Sequence, residues 1–450
     1  MTDLKMPEAG LYAGFAKMDI TPDYQVGLGG YSDAETRLHT GVVEKIYATC
    51  IALTDGDETI LVYTIDNCAC GRDAANEIRE LVGATTGIAG EKIFVAATHT
   101  HSAPSLGSYP EAKLYRTQLY AACARGAQLA LADRSPAKVL AAKKEFPGWN
   151  NTRHVRLENG VVAGYNWRTF ESPIVELFGP ADHEMTLIKF DRGEEKKGIL
   201  LINWQGHPDR GGEIGKLNIA PSFPGPLRDT VEAGSGLHVA YFTGADGNMI
   251  IDQKSFFPEK AHKLNWRRYG VKMGTFALEL LDELREVEGS GIATKRQIVE
   301  AEVDHSWDHM LEQANEVYDL WKATDKPTGD ALGKKYNFSS VYQARAIRSR
   351  AAKGKSIELE TNAFRVGGIG FTTGTYEMFA ESGMQVKAGS PYEFTFLLTG
   401  NSSYIPAKRN FEYRCYEADT GFYAIGTAEK LVDNYIEMLK DIQDNSKKEN

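Results

Sequence analysis

Short apolar runs recur along this 450-residue chain, and each one stops abruptly at glycine, proline, asparagine or a polar cluster. Runs of this length and composition predict buried β-strands rather than helices. They occupy positions 46–53, 59–64, 93–97, 199–204, 238–242, 364–371 and 394–398. So many strands spread along one chain can be buried only in extended sheets, which restricts the fold to sheet-based architectures.

Helical patterns lie between these strands. One face collects Tyr115, Leu119, Ala122 and Leu129, and a later one collects Leu431, Tyr435, Met438 and Ile442. Both spacings place the apolar residues on one side of a helix. Strands mixed with helices predict an α/β fold, with a mixed β-sheet core flanked by helices.

The domain organisation follows from the absence of breaks in the pattern. No repeat of fixed period and no long low-complexity linker interrupts the sequence, so we expect a single domain over residues 1–450. The segment 322–335, KATDKPTGDALGKK, follows a helical stretch at 307–321 and predicts a surface loop within that domain.

Composition narrows the class of protein. The net charge of −10 argues against a nucleic-acid partner, because phosphate contacts require a surplus of lysine and arginine. The five cysteines are too sparse for a disulfide framework and predict reduced thiols. Neither a leader of signal-peptide type nor a transmembrane run is evident, so we expect a cytoplasmic protein. The oligomeric state is not indicated.

Three of the predicted strands end in polar, glycine-flanked sequences. The run 93–97 leads into Thr-His99-Thr-His101, the run 199–204 leads into Gln-Gly-His207, and the run 238–242 leads into Thr-Gly-Ala-Asp-Gly-Asn. In open α/β sheets the ligand crevice lies beyond the carboxyl ends of strands. We therefore expect these three endings to share a site.

A metal centre is one interpretation of the two neighbouring histidines. If strand geometry continued past residue 97, His99 and His101 would project to the same side, and His207 is the natural remote partner. The alternative is a pair of structural histidines that close the strand by hydrogen bonds. A second pair, His305 and His309, is spaced for one helix face but lacks an HExxH glutamate, which favours a solvated helix.

The basic segment 345–355, RAIRSRAAKGK, allows two interpretations. It could bind a phosphate or a lipid headgroup, but a solvated helix face explains it more simply.

A series of short motifs resembles the neutral/alkaline non-lysosomal ceramidase family. In chain order they are AGFAKMDITP with LGGYSD behind it, ATHTHSAP, NTRH, NWQGHPD, FTGADGN, GTYEMF and NSSYIPAKRNFEYRCYE. They extend over residues 13–439, and their common order is more specific than any single motif. The resemblance implies a ceramidase-like catalytic domain, in a short form that ends without the family's C-terminal immunoglobulin-like domain. It also associates the chain with lipid metabolism.

The resemblance further implies a zinc ion as cofactor. The residues that match the family's metal ligands are His99, His207, Glu377 and Tyr404. It adds His101, Arg153 and Tyr416 as polar groups that orient the substrate, stabilise an oxyanion or assist proton transfer to the leaving amine. Without the resemblance, Glu377 would be explained as a helix-terminal carboxylate, Tyr404 as a strand-end aromatic residue and Arg153 as the partner of a surface acid.

The implied reaction is hydrolysis of a C–N amide bond by a zinc-activated water. Family members carry a serine where this chain has Ile250, which disfavours a serine nucleophile here. The leading hypothesis is an amide hydrolase acting on a soluble or small N-acyl compound, because neither a leader nor a lipid-approaching domain is evident. The alternatives are a true ceramidase acting on N-acylsphingosine and a metal-free binding or scaffold protein. An amidohydrolase-type barrel fits poorly, since several strands precede His99.

Overall fold

The computed structural model describes residues 10–31, 33–56, 58–164, 172–209, 211–251, 263–400, 402–413 and 415–448. Residues 1–9, on which the expectation of no leader partly rests, and the last residues of the polar tail lie outside these ranges.

Three larger sheets form the body of the fold. The first contains, in spatial order, Ile93–Ala97, Glu58–Ile65, Tyr47–Asp55, Leu11–Asp19 and Ser135–Pro136. The second contains His238–Thr243, Ile199–Trp204, Glu184–Asp191, Lys138–Glu145 and Arg285–Glu286. The third contains Ile292–Glu302, Ser356–Val366, Ile369–Gly374 and Phe394–Thr399. The fold is therefore α/β with mixed sheets, as the sequence predicted.

Smaller pairings surround these sheets. Three short strands form one further sheet, in the order Val162–Gly164, His154–Leu157 and Ile174–Leu177. Asn218–Ile219 pairs with Gly41–Val42, Met249–Ile250 with Asn151–Thr152, and Glu377–Met378 with Tyr404–Ile405.

The three large sheets share one central apolar core. Phe94 of the first sheet stacks on Phe364 of the third at 4.2 Å between ring centroids, and Phe242 of the second sheet contacts Phe396 of the third. Each sheet turns its other face toward helices, so alternate residues enter different cores. Ile51, for example, belongs to the central core, whereas its neighbour Cys50 packs in the outer one.

Helices cover the outer faces. They are Arg72–Thr86, Pro110–Ala132, Gly211–Ile214, Pro224–Ser235, Trp266–Leu280, Leu311–Ala323, Lys326–Lys335, Val341–Ala351, Ala380–Gly389, Tyr416–Thr420 and Thr427–Lys448. Short 3₁₀ turns occur at Ala34–Thr36, Gly90–Lys92, Leu281–Glu283, Asp308–Met310 and Lys408–Phe411. No helix in the described ranges is both long and apolar enough to cross a bilayer.

Each large sheet ends in a parallel pair of strands joined through a helix. The pairs are Glu58–Ile65 with Ile93–Ala97, Ile199–Trp204 with His238–Thr243, and Ile369–Gly374 with Phe394–Thr399. Parallel strands need such a crossover, and their carboxyl ends lie at one edge of the sheet. The fold thus presents three such edges, and each leads directly into polar sequence.

Hydrogen bonds tie these three edges together. The hydroxyl of Thr243 donates to the carbonyl of Thr98 at 2.8 Å, and the amide of Asn203 donates to the carbonyl of Leu397 at 2.9 Å. The hydroxyl of Thr399 then donates to the carbonyl of Thr243 at 3.1 Å. The carboxyl ends of all three sheets therefore meet at one place.

Two predicted boundaries were wrong. The segment predicted as a loop at 322–335 contains the helix Lys326–Lys335, because the Asp325 side chain caps it by accepting from the amide of Thr328, and Pro327 lies in its first turn. The run 364–371 is not one strand. It spans the turn between the strands Ser356–Val366 and Ile369–Gly374, where Gly367 has a φ of 56°.

Candidate metal centre

The three predicted histidines converge at the joined strand ends. His99 Nε2 lies 3.1 Å from His207 Nε2 and 3.2 Å from His101 Nε2. Strand geometry does not bring this about, since the strand ends at Ala97 and His99 has a φ of 65°. A left-handed backbone is uncommon outside glycine and asparagine and is typical of functional positions. The turn, rather than a continued pleat, aims both imidazoles inward.

Glu377 completes this cluster from a short strand that follows the Ile369–Gly374 strand of the third sheet. Its Oε1 lies 2.6 Å from His99 Nε2, and its strand, Glu377–Met378, pairs in parallel with Tyr404–Ile405 so that Glu377 and Tyr404 are in register. Burial and then the negative charge of Glu377 raise the pKa of Tyr404 well above its ordinary value. The structure thus brings His99, His207 and Glu377 into one cluster and places Tyr404 opposite Glu377.

The electrostatics of the three imidazoles differ. Burial, together with the nearby positive charges of His99 and Arg153, lowers the pKa of His207 to about 4. Burial, together with the charges of His99 and His207, holds the pKa of His101 well below its ordinary value. Burial lowers the pKa of His99, but the charge of Glu377 and the contact with Cys68 raise it more. The pKa of His99 therefore lies well above its ordinary value. The site therefore favours one positive charge, placed between His99 and Glu377.

Neighbouring groups fix the orientation of His99 and His207. His99 Nδ1 lies 2.5 Å from the carbonyl oxygen of Cys68, which can only accept, so Nδ1 carries the hydrogen and Nε2 faces the cluster. His207 Nδ1 lies 3.3 Å from Asp246 Oδ2. Apart from this contact with His207, the Asp246 carboxylate has no hydrogen-bond partner among the described residues, and burial raises its pKa to about 6.

These donors fit a metal ion. Ligand atoms of His99, His207 and Glu377 lie within 4.8 Å of one another, and all three side chains are buried. Two imidazoles and a carboxylate with second-sphere partners are a donor set that suits zinc. Cys68 forms a further group with His99 and His101, although its thiol is 3.9 Å from His99 Nδ1 and only partly buried.

Arg153 lies beside the cluster as a fully buried cation. Its Nε donates to Glu417 Oε1, another of its nitrogens donates to the carbonyl of Gly247, and its guanidinium lies 5.3 Å from the ring of Tyr404. Burial lowers its pKa, but the charge of Glu417 outweighs this and raises it. Arg153 is therefore permanently charged, and its partner is a buried acid rather than a surface one.

Glu417 belongs to a longer hydrogen-bonded chain. Its Oε2 is 3.2 Å from His154 Nε2, and His154 Nδ1 is 2.9 Å from the hydroxyl of Tyr413. His154, Cys415 and Glu417 also have ligand atoms close enough for a metal. Because Arg153 already neutralises Glu417, this second group is better explained as a support for Arg153 than as a metal site.

Tyr416 lies at the edge of the site. Its ring is 5.8 Å from that of Tyr404, and burial raises its pKa to about 12 even though Arg345 and Arg153 act to lower it. Its hydroxyl therefore remains a hydrogen-bond donor at neutral pH. The predicted residues His101, Arg153 and Tyr416 all border the cluster of His99, His207 and Glu377.

Sequence reasoning missed several neighbours of this centre. Glu417 directly follows Tyr416, and Asp246 lies within the motif FTGADGN, but nothing in their spacing distinguishes them from surface acids. Tyr31, whose ring meets His101 edge-on at 4.8 Å, lies in the motif LGGYSD. Membership of a motif was the only signal available for these residues.

The fold has known counterparts. A neutral ceramidase from Pseudomonas aeruginosa superposes with a TM-score of 0.71 at 16% sequence identity, over 96% of this chain and 74% of that one. A ceramidase complexed with C2 gives 0.70 at 15% identity, over 97% and 76% of the two chains. No protein-family model matches the sequence, and no curated protein matches it. The likeness to ceramidases predicted from the motifs is thus confirmed for the fold.

Proposed function

Because the chain has the fold of the neutral ceramidases, we propose that it is a zinc-dependent hydrolase that cleaves the C–N amide bond of a small N-acyl compound. One observation carries this proposal. His207 Nε2 and Glu377 Oε1, which come from distant parts of the chain, both lie within 3.1 Å of His99 Nε2 in a buried site. A buried carboxylate requires a positive charge beside it, and a metal cation held by these three side chains would supply that charge.

His99, His207 and Glu377 would hold the zinc ion, and the Tyr404 oxygen would be the fourth protein ligand. When bound, zinc acts as a Lewis acid that polarises a carbonyl and lowers the pKa of a water molecule. The remaining steps depend on the protein's own side chains.

Arg153 would stabilise the negative charge that develops on the substrate carbonyl oxygen. Its guanidinium is fixed by Glu417 and by the Gly247 carbonyl, so no reorganisation is needed when that charge forms. Removal of such a fixed donor costs about 2.7 to 4 kcal/mol of barrier.

His101 and Tyr416 would accept and donate the protons that are transferred during hydrolysis. Burial keeps the His101 imidazole neutral, and its Nε2 faces the cluster at 3.2 Å from His99 Nε2, so this atom would accept the proton. Tyr416 retains its phenolic hydrogen and can donate it to the leaving nitrogen. Water attack followed by C–N cleavage then yields a carboxylic acid and an amine, without a covalent intermediate.

The test is hydrolysis of a panel of N-acyl compounds by the zinc-loaded protein, with the released amine quantified. We expect Glu377→Gln to lose both zinc and activity, whereas Arg153→Gln keeps zinc and loses about 100-fold or more in kcat. His305→Ala, at a half-exposed position in a different region, serves as the control and should retain both. Full activity of the Glu377→Gln variant would exclude the proposed centre.

A ceramidase acting on N-acylsphingosine is the second candidate, and the likeness in fold to two ceramidase structures favours it. N-acylsphingosine therefore belongs in the substrate panel. We further propose that the whole chain acts as one catalytic domain, because the three large sheets share the core beneath the site. A single cooperative unfolding transition is the expected result.

A further inference from the structure

The helix Val341–Ala351, which carries most of the basic segment, lies against the edge of the metal centre. The ring of Tyr342 meets the ring of Tyr416 at 6.4 Å. Arg350 is buried and donates to the carbonyl of Gly421 at 2.9 Å, which ties this helix to the segment that follows Tyr416. The basic segment is therefore not simply a solvated helix face, as the sequence had suggested.

Arg345 is the basic residue of this helix that faces the site. Its guanidinium lies 5.1 Å from the ring of Tyr342, which in turn contacts Tyr416. Arg345 is thus close to the group assigned to the leaving nitrogen.

The charge of Arg345 is only weakly compensated. Within the part of the chain that the structure describes, its ion-pair partner is Asp33 at 4.0 Å, the outer limit of ion-pair range, and Asp33 also binds Lys322. Its side chain remains 38% exposed, so the guanidinium is accessible to a ligand from solvent.

A second cation borders the site at Tyr31. Arg37 lies 5.0 Å from the Tyr31 ring, and that ring contacts His101. Arg37 donates to the backbone carbonyls of Leu28, Gly29 and Tyr31, which fixes its position. Positive charge therefore borders the site, although the protein as a whole carries a net charge of −10. A local concentration of one sign of charge at a site attracts ligands of the opposite sign, here anions.

We propose that the substrate carries a carboxylate on its amine portion, as an N-acyl amino acid does, and that Arg345 binds this carboxylate. The inference rests on the proposed hydrolase function and specifies its substrate class. A planar guanidinium matches a carboxylate by paired hydrogen bonds, whereas a neutral amino alcohol offers no such partner. Water adds to the carbonyl carbon, the C–N bond breaks, and the nitrogen takes a proton to leave as the free amino acid.

A matched substrate pair tests the inference: N-hexanoylglycine against N-hexanoylethanolamine, with the zinc-loaded full chain. We expect wild-type kcat/KM to be about tenfold higher for the glycine conjugate, the effect of one charge-assisted hydrogen-bonded contact. Arg345→Gln should lower kcat/KM for the glycine conjugate about tenfold more than for the ethanolamine conjugate, and Arg345→Lys should lose less. Arg348→Gln removes the same charge from the next turn of the helix, where Arg348 instead contacts Tyr318, and should not change the ratio.

The outcomes separate the two proposals. Equal loss on both substrates in Arg345→Gln, or an unchanged substrate ratio, would overturn the assignment of Arg345 and leave the hydrolase intact. If the wild-type protein cleaves neither conjugate nor any other N-acyl compound, the proposed function fails, and the inference fails with it.

Discussion

His99 and His207 are 108 positions apart in the chain, yet their Nε2 atoms lie 3.1 Å from each other. They follow strands of two different sheets, and Glu377 reaches the same point from a short strand just after the Ile369–Gly374 strand of the third sheet. The centre therefore depends on how the three sheets meet, so changes in the residues around it should have separable effects on metal affinity, on turnover and on stability.

Asp246 is expected to influence metal affinity through His207. Its carboxylate lies 3.3 Å from His207 Nδ1 and is fully buried. Carboxylates in this position orient a ligating imidazole, and their loss typically lowers affinity about 10- to 100-fold. Asp246→Asn should weaken zinc binding by this factor in chelator competition. Unchanged zinc affinity in a folded variant would mean that Asp246 does not orient His207.

Glu417 is expected to influence turnover through Arg153. Glu417→Gln keeps the shape of the side chain but removes the charge that holds the guanidinium. We expect zinc content to be retained and kcat to fall about 100-fold, comparable to the loss of an oxyanion donor. The milder variant Tyr413→Phe removes the hydroxyl that contacts His154, at the far end of this series of hydrogen bonds, and its kcat should fall less. A higher KM with unchanged kcat would argue against this positioning role.

The same pair predicts a dependence of stability on pH. Burial raises the pKa of Glu417, but Arg153 and His154 lower it more, so the pKa lies well below its ordinary value of 4.5. A carboxyl with a depressed pKa stabilises the fold above its unfolded pKa and loses that contribution as pH falls toward its folded pKa. The stability advantage of wild type over Glu417→Gln should therefore be largest near neutral pH and shrink below about pH 4.5. Denaturant unfolding at several pH values measures it, and an advantage that grows on acidification would contradict this assignment.

Gly30 is expected to determine the position of His101. Its φ is 93°, and a Cβ there would lie 2.6 Å from His101 Cγ, closer than real contacts allow. Gly30→Ala should displace the imidazole and reduce kcat while zinc is retained. Gly87→Ala is the matched control, since Gly87 also has a positive φ, 79°, but no atom within 4 Å of the added Cβ. Equal activity of the two variants would show that the position of His101 is not important.

The sequence predicted those parts of the fold that depend on local pattern. The strands at 93–97 and 199–204 were predicted at their observed limits, since apolar runs bounded by polar residues mark buried strands clearly. The helix Lys326–Lys335 was missed because its two interior glycines and Pro327 are typical of a loop, whereas its cap at Asp325 and packing against neighbouring helices stabilise it.

The site was predictable only in part. His99, His101 and His207 could be found from strand ends, but the left-handed backbone of His99 is a tertiary feature. Glu377 and Tyr404 came from resemblance alone. Arg153 and Glu417 are 264 positions apart, and no local spacing reveals such a pair. The sequence predicted that Arg345 lies on a solvated helix face, because a run of charged residues gives no information about what the helix packs against.

The central claim is that His99, His207 and Glu377 hold one zinc ion. Inductively coupled plasma mass spectrometry of the purified protein tests it most directly, with His99→Ala, His207→Ala and the control His305→Ala measured in parallel. We predict near-stoichiometric zinc in the wild type and in His305→Ala, and loss of zinc in both site variants. A metal-free wild type, or unchanged zinc in the folded site variants, would contradict the account and favour a binding protein that uses the same fold.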